Sequence, residues 1–126
     1  MNSFYVVSQT DPANLAINIK HRDSSHLPAS VKKAQNDLVI EIKAHLIEQD
    51  AEWVDDPDKI YKVKMEFGFK NIRSDIDGPV KRVLDAIQMA LVARGHKWDD
   101  AMVYDLIVSK YGAKNPRINI WVEEME

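Results

Sequence analysis

Two aspartates flank a single isoleucine in "SDIDGPVK", residues 74–81. In extended backbone, residues two apart point the same way, so the carboxylates of Asp75 and Asp77 face a common point. Carboxylates a few ångströms apart repel unless a proton or a cation lies between them. Lys81 follows the second aspartate by four residues, and a second acidic pair, Asp99 and Asp100, stands further on in "KWDD". Oxygen-only donors of this kind suit Mg²⁺. Such an ion can neutralise charge on a phosphate and activate a water. A nearby lysine suits the charge that develops on a leaving oxygen. The same residues also have plain structural readings. An Asp-x-Asp before a helix serves as an N-cap plus a solvated loop residue, and "WDD" as a turn. Lys81 pairs with Asp77 along the helix in that reading.

The chain has 126 residues, no cysteine and a formal net charge of −3. One domain spanning 1–126 is expected, long enough to bury one core. Disulfides, thiolate metal sites and cysteine nucleophiles are excluded. No apolar run reaches the roughly 20 residues that span a bilayer. The opening "MNSFYVVSQTDP" lacks the basic start and long apolar centre of a signal peptide, so a cytoplasmic location is the expectation. With a net negative charge, a nucleic-acid binder must concentrate its cations on one surface.

The elements that position the acidic residues follow from periodicity. Phe4 to Ser8 reads as a first strand. Residues 9–29 read as a long loop, with "AINIK" a short strand inside it. Val31, Ala34, Leu38, Ile42, His45 and Leu46 fall on one helical face, with Ser30 as its N-cap. After the acidic connector "DAEWVDDPDK", the stretch "YKVKMEFGFK" alternates. Val63, Met65, Phe67 and Phe69 point one way; Lys62, Lys64, Glu66 and Lys70 point the other. Val80, Val83, Leu84, Ile87, Leu91 and Arg94 form the stripe of a second helix. Asp77 or Gly78 caps its start, Pro79 suits its first turn and Gly95 its end. "MVYDLIVSKY" and "RINIWVEEM" read as two antiparallel strands joined in a hairpin by "GAKNP". The fold class is α+β: strand, helix, strand, helix, strand, strand. Such a helix is roughly 25 Å long, so Asp100 reaches Asp75 and Asp77 only if its turn folds back or a second subunit supplies it.

From about Lys70 to the C-terminus the chain resembles the RusA-type Holliday-junction resolvases. The resemblance rests on "SDIDGPVKRVLDAI", on "GHKWDDAMVYDLIVSK" and on "PRINIWVEEM". That family carries an Asp-x-Asp at a helix start and a lysine four residues later. A Leu-Asp-Ala segment lies inside the helix, and an Asp-Asp turn follows it. The asparagine usual after the second aspartate is Gly78 here, and the family's proline-rich opening motif is absent.

The resemblance implies that Asp75, Asp77 and Asp100 are catalytic and hold Mg²⁺, and that Lys81 is the catalytic lysine. Asp85 reads either as structural or as a support beside the catalytic residues, and Asp99 as a shaper of the turn. The implied activity is endonucleolytic resolution of four-way DNA junctions by a homodimer. Two matched cuts need two sites related by a two-fold axis. Lys62, Lys64, Lys70, Arg73 and Arg82 are the candidate phosphate contacts, extended by Lys20, His21 and Arg22 from the long loop. Trp121 reads as a core residue rather than an interface residue. The histidines show no metal-site spacing. The alternative is a dimeric branched-DNA-binding protein of the same fold without turnover.

Overall fold

A computed structural model of the chain describes residues 1–16, 27–49 and 53–126. Residues 17–20 of the expected short strand, and His21, Arg22 and His26, lie outside the described residues.

Strand β1 spans Ser3–Ser8 and helix α1 Ala29–Glu48. Strand β2 spans Ile60–Phe69, helix α2 Val80–Ala93, strand β3 Val103–Gly112 and strand β4 Arg117–Met125. The strands form one mixed sheet in the order β1-β4-β2-β3. The fold is the expected α+β arrangement.

The alternation of β2 decides which face is buried. Tyr61, Val63, Met65, Phe67 and Phe69 are at most 1% exposed. Their register partners extend the apolar rows across the sheet: Val6, Ile120, Met65 and Val108 lie opposite one another. The two helices close this face. Helix α1 contributes Val31, Ala34, Leu38, Ile42 and Leu46, and α2 contributes Val83, Ala86, Ile87, Ala90 and Leu91. Each fully buried leucine, isoleucine or phenylalanine stabilises the fold by about 1.5–3 kcal/mol relative to exposure.

Helix ends follow partly as expected. Gly95, at φ +84°, ends α2. Its N–H donates to Val92 O at 2.9 Å, and the His96 N–H donates to Leu91 O at 3.0 Å. This paired closure needs a left-handed residue. Helix α1 instead starts one residue before Ser30: Pro28 stands at its cap, and no side chain caps it. The Pro28 carbonyl takes the first bonds, from Val31 and Lys32.

The hairpin expected of the last two strands is not formed. β3 pairs with β2 alone and in parallel, at the edge of the sheet. β4 lies between β1 and β2, antiparallel to both. Residues 113–116 therefore cross the end of β2 to reach the far side. Ala113 N–H donates to Phe69 O at 2.8 Å. Gly68 makes room, because a Cβ there would lie 3.0 Å from the side chains of both Ala113 and Tyr111.

No helix among the described residues covers the other face of the sheet. Tyr5, Trp121, Lys64 and Ile107 form one row on it. Trp121 is thus half-buried on this open face rather than in the core. It stacks on Tyr5 with ring centroids 4.7 Å apart, and the Lys64 ammonium lies 4.9 Å from its ring.

Candidate active site

Strand β3 holds both halves of the acidic region. At its start, Asp100 opens a short 3₁₀ turn over Asp100–Met102. Asp99 caps that turn through a hydrogen bond from Ala101 N–H at 2.8 Å, as expected of it. Trp98 anchors the turn from the other side. It is 5% exposed, 4.7 Å from Tyr61 and 6.1 Å from Trp53 between ring centroids. Near the end of β3, Lys110 reaches the loop that precedes α2. Its ammonium donates to Ile72 O at 2.9 Å and to Ser74 O at 2.8 Å. Nothing in the chemistry of the motif pointed to Lys110. The signal was its place in the strand alternation, on the same face as Leu106 and Val108.

The loop presents Asp75 and Asp77 to solvent; both are exposed. The expected N-cap role of Asp77 is not filled. Pro79 stands at the cap and no side-chain capping bond is made, while the Asp77 carbonyl accepts from Val80 N–H at 3.2 Å. Helix formation therefore leaves the Asp77 carboxylate uncommitted. Gly78 has a packing reason to be glycine. A Cβ there would fall 2.9 Å from the Ala16 Cβ, so the segment after the turn at Pro12–Asn14 closes on it.

The turn does fold back within one chain. Lys81 Nζ lies 3.1 Å from Asp100 Oδ2 and 3.0 Å from Asp85 Oδ1. Asp85 Oδ2 in turn faces an Arg82 guanidinium nitrogen at 3.8 Å. The hydrogen bond to Asp85, and next the one to Asp100, hold the Lys81 ammonium above the ordinary lysine pKa. Its side chain is 62% exposed, so solvent screens these pairs and each contributes about 1 kcal/mol or less.

Asp100 Oδ1 is different. It is buried and has no hydrogen-bond partner among the described residues. A buried carboxylate oxygen without a partner is costly. An all-oxygen donor set with one such oxygen fits a hard divalent ion. In the same structure, no three carboxylate or imidazole side chains among the described residues are gathered closely enough to hold a metal. The structure brings together Lys81, Asp85 and Asp100. It does not gather Asp75 and Asp77 with Asp100 into such a group.

The candidate phosphate contacts are divided. Lys62 and Lys64 lie on the open face, across the sheet from α2, so only part of the basic set borders the acidic region. Lys70 and Arg73 are exposed in the loop beside it. Arg82 has a side chain only 17% exposed, and its carbonyl accepts from Gln35 Nε2 of α1 at 3.0 Å.

The family model of endodeoxyribonuclease RusA matches residues 11–123. The chain belongs to that family. Membership extends the likeness beyond the C-terminal half, back through α1 and into the long loop. It implies a Holliday-junction-resolving nuclease, a hydrolase that binds branched DNA, of a kind generally dependent on divalent metal. No curated protein matches the chain. No described helix is long and apolar enough to cross a membrane.

Proposed function

We propose that the protein is a Mg²⁺-dependent, structure-specific endodeoxyribonuclease that resolves four-way junctions by paired phosphodiester hydrolysis, acting as a cytoplasmic homodimer of single-domain subunits. The observation that supports this most directly is the Asp100 carboxylate. One of its oxygens is paired with Lys81 and the other is buried without a partner among the described residues.

In this reading Asp75, Asp77 and Asp100 are the residues that would hold the ion. When bound, Mg²⁺ supplies charge neutralisation at the scissile phosphate and a more acidic water. The chain's own residues do the rest. The Lys110 ammonium steadies the loop that bears Asp75 and Asp77 through two of its backbone carbonyls. Trp98 and the Asp99 cap set the direction of Asp100. Lys81 offers an ammonium to the oxygen on which negative charge grows. Lys70 and Arg73, exposed beside the loop, bind backbone phosphates without reading sequence.

The alternative, a dimeric junction-binding protein without turnover, draws on one observation: three acidic side chains are not gathered among the described residues. One experiment separates the two. A labelled four-way junction and a linear duplex of equal length are incubated with the protein, with and without Mg²⁺. Symmetric paired incisions in the junction, only with Mg²⁺, are expected. Tight junction binding with no incision at any Mg²⁺ concentration establishes the alternative. Sedimentation should give about twice the mass of one chain, as a two-fold pair of sites requires.

A further inference from the structure

Asp85 touches Lys81 as closely as Asp100 does, yet the nuclease reading assigns it nothing. We propose that Asp85 is a positioning residue: it fixes the Lys81 ammonium against the turn at Asp100, so that the lysine is already aimed when a phosphate arrives. This rests on the nuclease reading above.

The geometry is that of a clamp. Lys81 Nζ is 3.0 Å from Asp85 Oδ1 on its own helix and 3.1 Å from Asp100 Oδ2 on the turn before β3. An ammonium has three donors, so two are used and one remains for a phosphate oxygen. A lysine on a flexible four-carbon stem otherwise samples many rotamers, and aiming it in advance lowers the entropy cost of the reaction. Asp100 is also shared: as a metal ligand it would give up much of its charge to the ion. Asp85 is the partner then left to Lys81.

The placement makes little sense as helix stabilisation. Lys81 is the second residue of α2, whose first turn holds no acidic side chain. A helix N-terminus is electropositive and disfavours a cation there. Lysine before acid at i,i+4 is also the weaker order for a helical ion pair. A pair kept for the helix would have its charges reversed. Asp85 is itself braced. Its second oxygen faces Arg82 at 3.8 Å, and the Arg82 carbonyl is held by Gln35 of α1 at 3.0 Å. A line of contacts thus runs from α1 through Arg82 and Asp85 to Lys81 and Asp100.

The test uses the full chain and four variants: Asp85→Asn, Asp85→Glu, Lys81→Met, and Asp85→Asn combined with Lys81→Met. Asp85→Asn should slow single-turnover cutting of a Mg²⁺-supplemented four-way junction about tenfold. Junction affinity should stay within about twofold, because an aimed lysine acts on the transition state rather than on binding. Asp85→Glu should restore most of the rate. In the Lys81→Met background, Asp85→Asn should cost nothing further. A second readout needs no activity. Side-chain ¹⁵N relaxation should show a more ordered Lys81 Nζ in the wild type than in Asp85→Asn, where Asp100 alone holds it.

Equal slowing in both backgrounds overturns the proposal. So does an Nζ that stays as ordered without the Asp85 charge as with it, or a loss of rate that merely tracks a loss of thermal stability. A wild type that binds junctions but never cuts them overturns the nuclease reading and the catalytic half of this one. The Nζ measurement then still decides whether Asp85 holds Lys81.

Discussion

Asn2 and Lys81 each tie distant parts of the chain together through polar groups, and they do so in opposite ways. Asn2 is 3% exposed. Its amide donates to Val54 O at 2.7 Å and to the Tyr61 hydroxyl at 2.9 Å, while Oδ1 accepts from Val54 N–H at 2.9 Å. Its backbone N–H donates to Glu124 Oε1 at 3.2 Å, and its carbonyl accepts from Glu124 N–H at 2.8 Å. Glu124 is completed by Lys59 at 3.0 Å. The side-chain amide is thus partnered at both ends. Around Lys81 the reverse holds: the lysine is open to solvent and Asp100 keeps one buried oxygen without a partner among the described residues. A satisfied buried network rigidifies a fold. A half-satisfied one costs stability, and such local violations concentrate where a protein acts.

Breaking the comparison at its acidic end should have the largest effect. Asp77→Asn keeps size and removes one charge from a carboxylate that neither caps α2 nor supports its fold. Junction cutting should fall by at least about a hundredfold, while junction binding stays equal or tightens because phosphate repulsion falls. Full cutting by this variant at saturating Mg²⁺ removes Asp77 from the catalytic set.

The structural end should respond in the other currency, stability. Asn2→Ala strands the Val54 backbone groups and the Tyr61 hydroxyl, at a cost of about 2–3 kcal/mol. Urea unfolding measures this, and the cutting rate per folded molecule should not change. A slowed rate at full folding would show that the two clusters are not separable.

The smallest effect is in the pH dependence of the Asn2 network. The hydrogen bond from Lys59, and next that from the Asn2 backbone, hold Glu124 below its ordinary pKa of 4.5. A lowered carboxylate pKa gives stability that is present above 4.5 and lost as pH falls through the folded value. Lys59, raised above 10.5 first by its hydrogen bond to Glu124, has the opposite limb: stability present below 10.5 and lost as pH rises through the folded value. Glu124→Gln should flatten both limbs of the melting temperature against pH. Unchanged limbs would assign the acid and alkaline losses to other groups.

What was legible in the sequence is what depends on neighbours along the chain. The alternation of β2, the stripe of α2 and the closing role of Gly95 are all local patterns. The strand pairing was not legible, because "GAKNP" is as suitable for crossing one strand as for turning a hairpin. Only the Ala113 bond to Phe69 and the bare Cα of Gly68 reveal which it does. The site divides in the same way. The acidic and basic residue types and their spacing were readable. The contact between Lys81 and Asp100 was not, since it depends on Trp98 entering an aromatic cluster with Tyr61 and Trp53. Asp85 sits four residues after Lys81, and that spacing was the available signal for their pairing. The division of the lysines between two faces was half-visible: alternation separates Lys62 and Lys64 from the core, but only the sheet order puts them across from α2.

The position of β4 also constrains how the chain reaches its native state. β1 and β2 come earlier in the chain, yet they never pair with each other; β4 lies between them and joins the two. Until that last strand is inserted between them, β1 has no strand partner and one edge of β2 stays bare. Its arrival closes pairs such as Ser3 with Glu123, which are nearly a chain length apart. Contacts at such separations are slow to find. Before they form, the apolar strands that will become the core are exposed to other chains, which makes the unfinished molecule more prone to aggregate than the finished one.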